Sequence, residues 1–205
     1  MKKHLTGPLA VAALTALCLA SPALAALKAG APAPDFKAKA SLAGKDFTFS
    51  LSAALKKGPV VLYFYPSAYT GGCDLEAHTF AAGKAQFDAA GATIIGVSAD
   101  DIDRLNAFSA DPNYCAGQFP VATDAGGKIA SSYGLAMAPP KPGKADVRGV
   151  EIGHGFIERT TFVIATSGKI AAVLSSKADQ LTPDQHVLKS LAIVQKMKMD
   201  PSKGG

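Results

Sequence analysis

Val60-Val61-Leu62-Tyr63-Phe64-Tyr65-Pro66-Ser67-Ala68-Tyr69-Thr70-Gly71-Gly72-Cys73 runs from an apolar core segment through a turn to a cysteine. Val60 to Tyr65 is an unbroken β-branched and aromatic run, too short for a helix, so it predicts a strand buried on both faces. Pro66 stops it, and Ser67 to Gly72 form a turn. Beyond the turn, Phe80 and Phe87 recur at helical spacing and Gly91 supplies a C-terminal cap. Cys73 therefore falls in the first turn of a helix that follows a buried strand. Unpaired backbone N–H groups and the positive end of the helix dipole favour an anion there, which for cysteine is the thiolate.

Outward from this stretch the chain alternates strands and helices. Asp46 to Leu51 alternates polar and apolar residues as a half-buried strand does, and Ser52 is placed to cap a short helical turn ending at Gly58-Pro59. Ala92 to Ser98 reads as a second core strand, with Asp100-Asp101 at the start of a helix that runs to Ala110. A strand, helix and strand in this order imply parallel pairing through a right-handed crossover. Asp111-Pro112-Asn113 ends the helix and puts Cys115 in or just after a turn. Phe119 to Ala122 reads as a short strand and Gly126 to Tyr133 as a short helix. Ala138 to Gly155, rich in Gly, Pro and Lys, reads as a surface loop. Thr160 to Ala165 and Lys169 to Ser175 form a hairpin around Thr166-Ser167-Gly168. Pro183 opens the last helix, whose Val187, Leu188, Leu191 and Val194 make an apolar stripe against the sheet. The expected architecture is α/β, a central mixed sheet flanked by helices on both faces.

Met1-Lys2-Lys3-His4, the apolar run Leu9 to Ala20 and the small residues Ala23 and Ala25 read as a secretory signal peptide over residues 1–25, cleaved after Ala25. The alternative is an uncleaved anchor. Ala26 to Pro34 is a linker, 35–199 one domain, and 200–205 a tail. The mature chain of roughly 180 residues holds one core rather than two. Its formal charge falls from +5 to about +3 without Lys2 and Lys3, with no clustered basic face, so nucleic-acid binding gains no support. Periplasmic or secreted localisation follows from the signal, with no stable membrane contact after cleavage. Cys18 leaves with the signal, and the remaining pair, Cys73 and Cys115, is compatible with a disulfide in an oxidising compartment.

The spacing Pro66-x-x-x-Thr70-x-x-Cys73, with Glu76 and Phe80 beyond it, resembles the active-site signature of the peroxiredoxins, specifically the bacterioferritin-comigratory or peroxiredoxin Q group. The resemblance runs from about Ala33 to about Met197 and implies a thioredoxin-like fold. It implies a thiol peroxidase in which Cys73 is the peroxidatic nucleophile, forming a sulfenic acid and then a disulfide. Pro66, Thr70, Gly72, Glu76 and Arg159, the last opening Arg159-Thr160-Thr161-Phe162, are implied to bind and activate the peroxide. Implied partners are hydrogen peroxide or small organic hydroperoxides and a thiol reductant such as a thioredoxin-like protein, on a monomer or weak dimer. No cofactor or metal is implied.

Two departures stand out. Gly71 replaces the proline that usually sits in Thr-Pro-Gly-Cys, which frees the loop, and His78 occupies the position five residues after Cys73 where many members of this group carry a resolving cysteine. Cys115 is then the candidate resolving thiol, the other reading being a buried inert cysteine with an external thiol doing its work. If the two pair, a helix end must unwind. Glu76 reads equally as a residue orienting Arg159 or as a solvated first-turn carboxylate. His78 is a surface or sheet-facing residue. Neither it nor His154 and His186 shows metal-type spacing. Tyr63, Tyr65 and Tyr69 line the pocket or belong to the core. Two other functions remain: a thiol-disulfide oxidoreductase, disfavoured by the lack of Cys-x-x-Cys, and a non-catalytic binding protein such as a copper carrier with a Cys73-Cys115 bridge.

Overall fold

The computed structural model describes residues 26–200. The signal-peptide reading of residues 1–25 and most of the tail lie outside the described residues. In chain order the elements are β1 (Lys37–Leu42), β2 (Lys45–Ser50), α1 (Leu51–Leu55), β3 (Val60–Phe64), α2 (Gly71–Ala89), β4 (Thr93–Ser98), α3 (Ile102–Ala110), β5 (Val121–Thr123) and α4 (Lys128–Ser132). Then follow β6 (Met137–Ala138), β7 (Phe156–Ile157), β8 (Thr160–Ile164), β9 (Ile170–Ser175), α5 (Ser176–Asp179) and α6 (Pro183–Met199).

The main sheet has the order β2-β1-β5-β4-β3-β8-β9. β3 pairs in parallel with β4 and antiparallel with β8, and β4 pairs in parallel with β5, so the sheet is mixed as expected. β3 lies near its middle, which accounts for its unbroken apolar sequence. Val61, Tyr63 and Tyr65 face one core with Phe80 and Phe87 of α2, Phe108 of α3 and Val187, Leu191 and Val194 of α6. Val60, Leu62 and Phe64 face the other with Leu51 and Ala54 of α1 and Tyr133 and Phe162. A strand with both faces covered favours apolar side chains throughout.

Several sequence expectations move. β1 lies where the sequence reading assigns no element, because Lys37 and Lys39 break its apolar character and its buried residues are the small Ala38, Ala40 and Ser41. Ser50, not Ser52, caps α1, its Oγ accepting from Ala53 N at 3.4 Å, and Leu51 opens that helix rather than closing a strand. β5 begins at Val121, two residues later than expected. Leu188 does not join the α6 stripe and is 58% exposed. The inward face is completed by His186 and Ser190, whose side chains find internal hydrogen bonds, so helical geometry leaves Leu188 outside. The stretch 138–155 is more than a surface loop: it carries the end of β6 and the Ala145–Glu151 bridge, and it buries Asp146 and Ile152.

Candidate active site

Cys73 sits in the first turn of α2, at the C-terminal end of β3, as the sequence predicts. Thr70 is the N-cap residue, with extended backbone (φ −128°, ψ 133°), and its carbonyl accepts from Cys73 N at 2.7 Å and Asp74 N at 2.9 Å. Arg159, just before β8, is brought to the same place by the antiparallel pairing of β3 with β8, which sets Phe64 opposite Thr160. Its Nη2 donates to Cys73 Sγ at 3.0 Å and its Nη1 to Glu76 Oε2. Eighty-odd residues of sequence separate partners that the sheet puts in contact. Glu76, fully buried, is thus the residue that orients Arg159, and its solvated reading is overturned.

The electrostatics differ from the simple expectation of a thiolate. Cys73 is 2% exposed, and burial pushes its thiol up despite the opposing pull of Arg159, the Ser67 backbone and the Thr70 side chain. Burial likewise pushes Glu76 up to about 8 against the same guanidinium. One cation facing two acids in a dry site cannot keep both ionised, so the two titrate as a pair.

Residues 29–173 match the AhpC/TSA family. The chain belongs to the AhpC/TSA family. It is a thiol-dependent peroxidase with the peroxiredoxin fold. A putative peroxiredoxin of Mycobacterium tuberculosis is 32% identical over 148 residues, which is 72% of this chain and 85% of that protein. The chloroplastic peroxiredoxin Q of Populus jackii is 31% identical over 150 residues, 73% of this chain and 61% of that protein. Among solved structures, peroxidoxin BcpB from Mycobacterium tuberculosis superposes with a TM-score of 0.67 at 31% identity, covering 83% of this chain and 98% of that one. The bacterioferritin comigratory protein of Xanthomonas campestris shares the fold at a TM-score of 0.62 and 23% identity, over 80% of this chain and 92% of that one.

The other residues singled out from the sequence fall as follows. Pro66 and Thr70 line a cavity of about 310 Å³ with Ala138, Lys141, Lys144 and Phe156. The Thr70 hydroxyl donates to Ser67 O at 2.8 Å, so its one proton is committed to the loop. Gly72 faces solvent, and a Cβ there would lie 3.4 Å from Arg159 Nη2 and from Pro183 Cγ of α6, so glycine keeps the approach over the guanidinium open. Cys115 lies in the turn after α3, fully buried, and is a free thiol like Cys73. Burial, with Asp111 and Asp74 adding to it, pushes its thiol well up. His78 is exposed and its Nδ1 lies 3.2 Å from Asn113 O. Tyr63, Tyr65 and Tyr69 are core residues.

Sequence reasoning missed a group directly under the Ser67–Thr70 loop. Asp100 was read as an acidic helix start, yet it is fully buried and bound to Ser67, Ala68, Ser98 and His154. Arg104, Asp146 and Arg148 continue it. The one signal available was the doubling Asp100-Asp101, of which a single aspartate suffices to cap α3, as Asp101 does.

Proposed function

We propose that this chain reduces hydrogen peroxide and small organic hydroperoxides through Cys73, and that it does so as an exported enzyme with Cys115 as resolving thiol. The observation that carries the reading is the contact of Arg159 with both Cys73 and Glu76, which fixes a permanent charge where the sulfur meets a peroxide.

In the chemical step the Cys73 thiolate attacks the hydroxyl oxygen of R–O–O–H in line with the O–O bond. An S–O bond forms, the O–O bond breaks, and RO⁻ leaves and takes a proton to give water or an alcohol. Negative charge moves from sulfur to the departing oxygen, and the fixed guanidinium and the N–H groups at the start of α2 stabilise it there. Glu76 holds Arg159 in place through this step. Condensation of the sulfenic acid with the Cys115 thiol forms a disulfide and releases water, and a dithiol reductant of thioredoxin type restores both thiols. Export rests on the basic start, apolar run and small-residue cleavage site of residues 1–25, and an oxidising compartment suits the even cysteine pair.

Cys73→Ser should abolish peroxide consumption with a dithiol reductant, and a sulfenic-acid probe should label the wild-type protein at Cys73 after one equivalent of peroxide. An unchanged rate in the serine variant rejects the reading. Mass spectrometry of the oxidised protein checks the role of Cys115, a Cys73–Cys115 linkage supporting it and a mixed disulfide with the external thiol opposing it.

A further inference from the structure

The loop that precedes Cys73 is held in an unfavourable shape. Tyr69 has a φ of +58°, a left-handed conformation that costs a non-glycine residue energy and persists only where the surroundings impose it. Those surroundings come from two remote segments. The carboxylate of Asp100, between β4 and α3, accepts from Ser67 Oγ at 2.9 Å, Ala68 N at 2.8 Å and Ser98 Oγ at 2.7 Å. From the 138–155 segment, Val147 N donates to Tyr69 O at 3.0 Å and the Arg148 guanidinium covers the Tyr69 ring at 3.3 Å. Arg104 of α3 ties the two together, meeting Asp100 at 2.8 Å and Asp146 at 2.7 Å while donating to Ala68 O at 2.9 Å.

His154 closes this ring of contacts. Its Nε2 lies 2.8 Å from Asp100 Oδ1 and its Nδ1 2.8 Å from Gly155 O. Both neighbours are acceptors, so both ring nitrogens carry hydrogen and the side chain is an imidazolium, an assignment made from its partners. His154 is 19% exposed at its side chain, which leaves it open to proton exchange. The charged groups that face it are Asp100, which favours the proton, and Arg104, which opposes it. The positive charges of His154, Arg104 and Arg148 alternate with the negative ones of Asp100 and Asp146 through successive ion pairs.

We propose that Asp100 and His154 are positioning residues of the peroxidase: they fix the Ser67–Thr70 loop, and through it the donors around Cys73, and loss of the His154 proton slackens that hold. This rests on Cys73 being the peroxidatic residue. Neutral His154 retains one of its two N–H groups, so one of its two bonds fails, and whichever nitrogen keeps the hydrogen, the positive charge that faces Asp100 is lost. The consequence for Cys73 follows from reactivity being steep in the placement of donors around the reacting atom.

The test compares the full-length wild type with His154→Ala, His154→Gln and Asp100→Asn. It reads the rate with hydrogen peroxide, the alkylation rate of Cys73 by iodoacetamide across neutral pH, and tryptic cleavage after Lys144 and Arg148. His154→Ala should react with peroxide about tenfold more slowly and be cut faster. His154→Gln, which keeps an N–H for Asp100 without the charge and cannot titrate, should recover part of the rate and lose the histidine inflection from the pH profile. Asp100→Asn should resemble His154→Ala or be slower. A His154→Ala protein with the wild-type rate and pH profile overturns the proposal, as does one whose segment is cut faster while Cys73 reacts unchanged. A wild type inert to hydroperoxide would defeat the peroxidase reading instead, and alkylation and cleavage would still judge the hold on the loop.

Discussion

Arg159 carries one positive charge and faces two acids, and the competition between them sets the chemistry of Cys73. Its guanidinium reaches sulfur through Nη2 and carboxylate through Nη1, an arrangement open to a planar fork and closed to the point charge of lysine. Because burial pushes both acids up, a neutral Glu76 leaves the whole charge to the thiolate, and an ionised Glu76 takes part of it away. Glu76→Gln should therefore lower the pH at which Cys73 ionises by on the order of one unit. It should also turn a two-step titration into one step. The ultraviolet absorbance of the thiolate against pH measures this, and a curve identical to the wild type would mean that Glu76 does not compete. Thr70 is the reverse case. Its hydroxyl proton goes to Ser67 O in the resting site, so to donate to substrate it must first release the loop carbonyl.

At the scale of elements, the position of Cys73 follows from the central strand. β3 pairs with β4 in the register that sets Tyr63 opposite Gly96, and a Cβ on Gly96 would fall 2.6 Å from Tyr63 Cζ and 2.7 Å from its hydroxyl. The Tyr63 ring stacks on Phe80 of α2 with centroids 4.6 Å apart, so the glycine lets the tyrosine lie where it supports the cysteine helix. Gly96→Ala should cost about 1–3 kcal/mol of stability through overpacking. Chemical denaturation checks it, and a midpoint equal to the wild type would show that the strand shifts freely. The same scale explains the Leu188 error. An apolar periodicity in sequence gives the direction of a face, but α6 turns His186 and Ser190 inward because Thr161 and Ser176 wait there for His186. Polar residues with partners can occupy a buried face, and the sequence does not show the partners.

For the molecule as a whole, the two thiols set a constraint on turnover. Cys73 and Cys115 are 2% and 0% exposed and belong to one aromatic core, with Tyr63, Tyr65 and Phe119 among its members. A disulfide needs Cα atoms within roughly 6–7 Å and correctly aimed side chains, so on the proposed Cys73–Cys115 pairing two thiols this deeply buried are expected to meet by opening one end of the structure. Both ends carry strain that opening releases, Ala116 adopting φ +50° in the Cys115 turn and Tyr69 φ +58° in the loop before Cys73. Oxidised protein should show faster amide exchange over residues 111–118 and in the first turn of α2 than reduced protein. Equal exchange in the two forms, with the disulfide present, would reject the requirement. The loop-holding charges give the fold a pH window as well. Asp100 and Asp146 have lowered pKa values, so their contribution is present above the usual carboxylate range and lost as pH falls through their lowered folded-state values. His154 has a raised one, so its contribution is full in mild acid and lost as pH rises through its folded-state value. The strand, the turn and the cysteine at a helix start are legible in the residues alone, because these depend on neighbours along the chain: side-chain shape, proline, glycine and helical spacing. Family spacing also points to Arg159 and Glu76. The burial of Glu76 on Arg159, the bracing of the active-site loop by Asp100 and the 138–155 segment, and the burial of the cysteine emerge in the folded molecule and not before. Burial and charge pairing are properties of what lies across space, and Asp100 is satisfied by two remote stretches, at Ser67–Ala68 and His154, as well as by its own neighbours Ser98 and Arg104.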